Sequence, residues 1–301
     1  MEKILDYGKA ICYSGYRAGQ SPKTVIPSKE EIAQDLDILV ADGYKYLRMY
    51  DPNLHARRVL EIIREKKLPL KCIIGIDSDP EIANKNCPFE RQDFSEQELL
   101  ANAARNDAEL EKLIELTNEY KDEIVLVSVG NENTPDWGAH LVPVERLIFH
   151  AKRLKEGTGK PVTFCEGAGE WKKLGALGNV LDVISIHSYP LHNRVGVDGA
   201  LDMNKSDYKM VQEWFPDKQV IFTEAGWSCT PARHMVPEHA SEENQKKYID
   251  AFNAWIEEEK IIACIFEAFD EPWKGSKPES SECNWGLYYV DRTPKPVMKR
   301  L

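Results

Sequence analysis

Short apolar runs rich in β-branched residues recur along the chain, and longer amphipathic stretches separate them. Near-continuous apolar character, rather than strict alternation, is typical of parallel strands covered by helices. The runs predicted to be strands are Lys9–Tyr16, Tyr44–Tyr50, Leu70–Ile76, Ile124–Glu132, Pro161–Gly167, Val180–Pro190, Gln219–Ser228 and Ile261–Trp273. The pattern therefore predicts eight strands.

The amphipathic stretches predict helices between these strands. The clearest one, Ser28–Gly43, begins with a serine suited to capping and ends at a glycine. The others are Asn53–Lys67, Ser95–Tyr120, Met203–Phe215 and Ser241–Lys260. Eight strand–helix repeats in 301 residues predict a single-domain (β/α)8 TIM barrel over residues 1–301. A doubly wound sheet is the alternative, but it more often has fewer strands and a glycine-rich first turn.

Composition narrows the classes of partner. Hydrophobic residues make up 42% of the chain and charged residues 30%, as in ordinary globular proteins. The net charge of −11 argues against nucleic acid or an anionic membrane surface as a partner. No apolar run approaches the roughly 18 residues that a membrane helix needs. We expect a monomer that binds neither nucleic acid nor membrane.

The first residues, "MEKILDYGKAICYSGY", contain no charged segment followed by an apolar leader. The seven cysteines include no CxxC pair, and several fall within strand-like runs, as buried thiols do. We expect a cytoplasmic protein from the chain as given, and a periplasmic or extracellular one if a leader has been removed.

The C-terminal ends of barrel strands share one face, and that face carries the active site. Here those ends are rich in acids and aromatic residues. They include Tyr13, Arg48, Tyr50, Asp77, Asn131, Glu132, Glu166, His187, Tyr189, Glu224 and Trp227, and residues 267–274 follow the last strand. A carboxylate at the end of an apolar strand is costly to desolvate without a partner.

Glu132 and Glu224 end the fourth and seventh strands, which lie nearly opposite each other across a barrel mouth. Two acids in these positions can flank one bond, and retaining glycosidases hold their carboxyl groups ~5 Å apart. Aromatic side chains nearby can stack on sugar rings. Taken singly, "GNE" is a common loop tripeptide, and a lone aromatic residue or histidine is more often part of the core. The combination at two strand ends points to sugar chemistry.

Asn131-Glu132 and Glu224 resemble the signature of clan A glycoside hydrolases. More narrowly, "CYSGY", "LRMYD", "VGNEN", "HSYP", "FTEAGWS" and "FDEPWK…ECNWGLYYVDRTPKP" resemble glycoside hydrolase family 17 of the bacterial type. This resemblance extends from Tyr13 to Pro296. It implies a (β/α)8 barrel that acts as a retaining β-1,3-glucanase or a related transglycosylase.

The resemblance implies that Glu132 is the general acid/base and Glu224 the nucleophile. It also implies that Asn131 binds the sugar 2-hydroxyl and that Lys274 helps to keep Glu224 ionised. Together with the strand-end residues, it gives a predicted substrate-binding set of Tyr13, Arg48, Tyr50, Asn131, His187, Tyr189, Trp227, Glu271, Lys274, Glu282 and Trp285. Asn133 and Trp137 are assigned to a turn and to packing.

The function expected from the sequence is hydrolysis of β-1,3-glucan, as polymer or oligosaccharide, by double displacement. No metal or cofactor is expected, because ligand histidines in HxH or HExxH spacing are missing near the acids. One alternative is a β-1,3-glucanosyltransferase that uses the same covalent chemistry. A more remote alternative is a non-catalytic β-glucan-binding protein, although both acids are present.

Overall fold

The computed structural model describes residues 3–88 and 93–299. Eight parallel strands form a closed barrel in chain order, with the last strand beside the first. The strands are β1 Lys9–Cys12, β2 Tyr44–Met49, β3 Lys71–Ile74, β4 Ile124–Asn131, β5 Val162–Gly167, β6 Val183–Ser188, β7 Gln219–Gly226 and β8 Ala263–Phe266. The predicted (β/α)8 barrel is confirmed.

Helices connect these strands. They are α1 Lys29–Ala41, α2 Leu54–Lys66, α3 Glu96–Glu119, α4 Val144–Thr158, α5 Gly175–Val180, α6 Val197–Trp214 and α7 Glu242–Glu258. Sequence patterns did not predict α4, which begins after Pro143 without a side-chain cap, or the short α5. Within residues 3–88 and 93–299, no helix has the length and hydropathy required to cross a bilayer.

Local sequence determines where the clearest helices begin. Ser28 and Glu31 form a capping box at α1, because each side chain bonds the backbone N–H of the other residue. Ser95 and Glu98 form the same arrangement at α3. These reciprocal bonds satisfy N–H groups that have no partner within the helix.

Strands β4 and β7 each carry extra residues near their C-terminal ends. Ser128 pairs with Thr163 and Asn131 with Cys165, so β4 advances by three residues while β5 advances by two. Between the pairs Ile186–Phe222 and His187–Glu224, β7 advances by two residues while β6 advances by one. A bulge of this kind changes the direction in which the following side chains point. Both bulges lie at the ends that carry the predicted catalytic acids.

Candidate active site

Two glutamates face each other at the C-terminal mouth of the barrel. Glu132 directly follows β4, and Glu224 lies within β7. One carboxylate oxygen from each and Nδ1 of His187 on β6 all lie within 4.8 Å of one another. The Glu132 side chain is 30% exposed and that of Glu224 is 9% exposed. The structure thus brings together the two acids paired from the sequence and gives them different access to solvent.

The backbone around Glu132 is held in a left-handed conformation. Its φ of 50° is uncommon for a residue other than glycine, and its N–H donates to the Cys165 carbonyl over 2.9 Å. The buried Asn133 side chain accepts from the Asn131 N–H and donates to the His140 carbonyl, each over 2.8 Å. Asn133 lies in the loop that follows β4, and its two hydrogen bonds fix the direction of Glu132.

Glu224 is surrounded by hydrogen-bond donors. The hydroxyl of Tyr50 donates to Oε1 over 2.9 Å, and that of Tyr189 donates to Oε2 over 2.6 Å. The Arg48 guanidinium also donates to Oε1. Burial by itself raises the pKa of Glu224, but the positive charges of His187 and Arg48 outweigh burial and hold this pKa well below its usual range. Glu224 is therefore ionised at neutral pH.

Arg48 connects Glu224 to the other side of the mouth. It is 3% exposed and stacks on the Tyr50 ring, with Cζ 4.3 Å from the ring centroid. Its second terminal nitrogen donates to Oδ1 of Asn131. Because the Asn131 oxygen faces Arg48, its amide NH2 is directed away from Arg48 and can donate to a ligand.

His187 lies between the two acids. Its Nδ1 is 2.8 Å from Oε1 of Glu132 and 3.5 Å from Oε2 of Glu224. Burial lowers the pKa of His187, but the charge of Glu224 and the contacts with Cys165 and Glu132 outweigh burial and raise it to about 10. His187 is therefore protonated at neutral pH, and its Nδ1–H donates to Glu132.

The Glu132, His187 and Glu224 side chains have donor types that also bind divalent cations. However, His187 Nδ1 donates its proton to Glu132, and Glu224 already faces the Arg48 guanidinium. A metal ion would have to displace that proton and lie close to a second fixed positive charge. The arrangement fits a hydrogen-bonded acid pair better, and the expectation that no metal is needed stays a prediction.

Glu166, at the end of β5, is a further acid beside the site. Sequence patterns placed it at a strand end but gave it no role. It accepts from the backbone and hydroxyl of Thr134 over 3.1 and 2.8 Å, and from the Gly167 N–H over 2.7 Å. Burial and the neighbouring charge of Glu132 raise the pKa of Glu166 to about 8. By accepting both hydrogen bonds from Thr134, Glu166 holds the backbone two residues after Glu132 in position.

A second charged cluster follows β8. Nζ of Lys274 is 2.6 Å from Oε2 of Glu267 and also contacts Glu271, which accepts from the Ser14 hydroxyl. Burial and the nearby Glu271 carboxylate raise the pKa of Glu267. The cluster therefore forms its own buried ion-pair network.

This placement differs from what the family resemblance implied for Lys274. Both of its described ion pairs are with acids of its own cluster, and the positive charges beside Glu224 belong to Arg48 and His187. Glu282, which the predicted substrate-binding set also includes, has an exposed side chain. Proximity along the sequence did not reveal which cation faces the buried acid.

Three aromatic residues predicted to contact substrate lie behind the mouth. Tyr13, Trp227 and Trp285 are each at most 1% exposed. The Tyr13 hydroxyl donates to Asp35 over 3.2 Å, and the Trp227 indole donates to a backbone carbonyl over 3.1 Å. Trp285 packs edge-on against Tyr189 with ring centroids 5.2 Å apart. In this structure the three rings support the cleft walls and present no open face to a sugar, contrary to the prediction.

Residues 10–286 match the family model described as the BtgE/BtgC glycoside hydrolase domain. This match covers the barrel and both acids, and it confirms the predicted glycoside hydrolase relationship. No relative among curated proteins matches the chain.

Several solved structures have the same fold. An endo-laminarinase from Formosa Hel1_33_131 is 23% identical, with a TM-score of 0.81 over 97% of this chain and 85% of that chain. A glycoside hydrolase family 17 β-1,3-glucanosyltransferase from Rhizomucor miehei is 20% identical, with a TM-score of 0.75 over 97% of both chains. An active-site mutant of the Rhizomucor miehei transferase in complex with laminaritriose is 21% identical, with a TM-score of 0.75 and 97% coverage of both chains.

Gly130→Ala is expected to disturb the turn that holds Glu132. The added Cβ would lie 2.1 Å from Oδ1 of Asn133 and 3.2 Å from Phe164, so the Asn133 side chain must move. We expect a loss of ~1–3 kcal/mol in the free energy of unfolding, as for other overpacked sites. Gly169→Ala is the matched control, because nothing lies within 4 Å of its added Cβ. Denaturant titration measures both, and equal stability of the two variants would contradict the steric role of Gly130.

Proposed function

We propose that this chain, which belongs to the BtgE/BtgC glycoside hydrolase domain family, is a retaining enzyme that cleaves β-1,3-glucan by double displacement. The spacing of the two acids carries the proposal, because carboxylate oxygens of Glu132 and Glu224 lie within 4.8 Å of each other. Retaining glycosidases hold their carboxyl groups ~5 Å apart, whereas inverting ones leave roughly 6.5–9.5 Å for a water molecule. The short gap supports direct attack by one acid.

The surroundings of each acid support its role. Glu224 is buried, ionised and oriented by Arg48 and two tyrosines, as a nucleophile should be. Glu132 is more exposed and lies beside His187, so a leaving group and a water molecule can both reach it. Glu132 is therefore the proposed general acid/base.

In the first half-reaction, a Glu224 oxygen forms a bond to the anomeric carbon while the bond from that carbon to the leaving oxygen breaks. The proton of Glu132 passes to the leaving oxygen, and the sugar becomes an ester of Glu224. His187 stays protonated and donates to Oε1 of Glu132, so Oε2 is the oxygen left for proton transfer.

In the second half-reaction, a water molecule gives a proton to Glu132 while its oxygen bonds to the anomeric carbon. The ester bond breaks, and Glu224 regains its charge beside Arg48. Two successive inversions retain the β configuration. The Asn131 amide, oriented by Arg48, supports a hydrogen bond to the sugar 2-hydroxyl that strengthens in the transition state.

The names of the similar structures support the substrate class. One is an endo-laminarinase and another is a β-1,3-glucanosyltransferase. Both names concern β-1,3-linked glucan, so we take a laminarin-type polymer or its oligosaccharides as the substrate.

A β-1,3-glucanosyltransferase is the second candidate. The Rhizomucor miehei transferase matches along 97% of both chains, whereas the laminarinase is covered over 85% of its length. In a transferase, a sugar hydroxyl replaces water in the second half-reaction. The covalent step and the roles of the two acids are the same.

Incubation with laminarihexaose tests the proposal, with products followed by chromatography and proton NMR. We expect shorter oligosaccharides whose new reducing ends first appear as the β-anomer, because the configuration is retained. An initial α-anomer would exclude the retaining mechanism. Cleavage of β-1,4-linked but not β-1,3-linked chains would exclude β-1,3-glucan as the substrate. Products longer than laminarihexaose would identify a transferase.

Glu132→Gln and Glu224→Gln extend this test to the assigned residues. Each is expected to lower kcat by several orders of magnitude, because the two acids act as a unit. Glu213→Gln is the control, since that acid is 66% exposed on α6, outside the barrel mouth. Near-normal turnover in either active-site variant would refute the role given to its residue.

Arg48→Met is expected to change the pH dependence of kcat/KM. Glu224 must be ionised to attack, and Arg48 helps to hold its pKa low against the effect of burial. Loss of the guanidinium raises this pKa. On acidification, the variant should therefore lose its activity at a pH ~1–3 units higher than the wild-type protein does. Arg48→Lys keeps the charge and should give a smaller change. If kcat/KM of Arg48→Met falls on acidification at the same pH as that of the wild-type protein, the electrostatic role of Arg48 is contradicted.

A further inference from the structure

The loop between Glu132 and α4 presents an exposed tryptophan at the barrel mouth. Trp137 is 51% exposed, whereas Trp171, Trp227 and Trp285 are each at most 1% exposed. The sequence pattern had assigned Trp137 to packing. In the structure about half of the residue is on the surface, five residues after the proposed acid/base.

Buried amide side chains hold this loop in one conformation. Nδ2 of Asn84 donates to the carbonyl of Asp136 over 2.8 Å and to that of Gly138 over 2.7 Å. These two residues flank Trp137, so the backbone is fixed on both sides of the tryptophan. Asn84 is 8% exposed, and its amide is committed to this turn.

The base of the loop is tied equally firmly. The Val142 N–H donates to the Asn133 carbonyl over 3.0 Å, and the Gly138 N–H donates to the Pro135 carbonyl over 2.8 Å. A ring held on a fixed backbone loses little further conformational freedom when it binds a ligand. The loop is therefore suited to present an aromatic face rather than to close over the site.

Neighbouring contacts place the loop on the Glu132 side of the mouth. Thr134 bonds Glu166 at the end of β5, and Asp136 lies 3.3 Å from Lys173 beyond β5. His140 approaches the Ser78 carbonyl beyond β3 at 3.1 Å. The loop thus lies between the connections that follow β3 and β5, whereas Glu224 lies on β7.

We propose that Trp137 is a stacking platform for the sugar chain on the leaving-group side of the cleaved bond. This inference rests on the proposed function, in which Glu132 protonates the oxygen of the departing sugar. The sugar beyond that oxygen continues past Glu132, toward the loop that carries Trp137. Indole rings bind the apolar faces of pyranose rings while the sugar hydroxyls stay hydrated. The same platform would bind the acceptor chain when sugar replaces water.

The test compares two substrates that differ only beyond the cleaved bond. Laminarihexaose extends past Glu132, whereas an aryl β-laminarioside has only a small aromatic leaving group there. Trp137→Ala is expected to lower kcat/KM for laminarihexaose about tenfold, equivalent to about 1.4 kcal/mol. Hydrolysis of the aryl laminarioside should change less than about twofold, since its sugars lie on the other side of the bond.

Two further variants separate stacking from a general effect on folding. Trp137→Phe keeps an aromatic face and should recover most of the activity on laminarihexaose. Phe149→Ala is the matched control, because Phe149 is 54% exposed on α4, on the outer helical layer. Phe149→Ala should leave kcat/KM for both substrates unchanged. If Trp137→Ala lowers kcat/KM equally for both substrates, or for neither, the assignment of Trp137 as a stacking platform is wrong.

Binding separates failure of this inference from failure of the proposed function. Calorimetric titration with laminarihexaose and cellohexaose is carried out on Glu132→Gln with and without Trp137→Ala, so that the ligand is not cleaved during the measurement. If only cellohexaose binds, and binds more weakly to Trp137→Ala, the β-1,3 assignment fails while the platform stands. If β-1,3 chains are cleaved but their affinity does not depend on Trp137, the function stands and the platform is wrong. Failure of both hexaoses to bind would overturn both proposals.

Discussion

The Arg48 guanidinium on β2 lies at the centre of the barrel mouth, where it contacts Glu224 on β7 and Asn131 on β4. Removing one partner of a buried ion pair typically costs ~3–5 kcal/mol, because the other charge is left without compensation. Arg48 and Glu224 therefore require each other. The same side chain orients the Asn131 amide, so one buried cation on β2 sets the positions of groups on two other strands.

The two central acids share His187 but have different surroundings. Glu224 accepts hydrogen bonds from Arg48 and two tyrosines, and little of it reaches solvent. Glu132 accepts from His187, lies near the buried Glu166 carboxyl and remains accessible. Differences in hydration and in hydrogen-bond donors thus make one of two chemically identical side chains a buried ion and leave the other accessible to solvent, as the proposed nucleophile and acid/base require.

Much of the fold could be predicted because apolar runs and capping serines are local signals, as at Ser28 and Ser95. The acid pair could be predicted because barrel topology brings the ends of β4 and β7 together. The partners of those acids could not. Lys274 lies in a motif beside the site but pairs with its own cluster, whereas the more distant Arg48 reaches Glu224. Whether an aromatic ring such as Trp285 lines a cleft or supports its wall depends on packing in three dimensions.

The bulges in β4 and β7 lie between the buried part of each strand and the end that carries Glu132 or Glu224. Below them, residues such as Leu126 and Ile221 are fully buried in the core. Above them, the direction of each acid depends on the number of residues in the bulge, because one extra residue turns the following side chains toward the other face of the strand. A barrel built this way can change the length of its strand ends, and hence the aim of its functional groups, without altering the layers that make it stable.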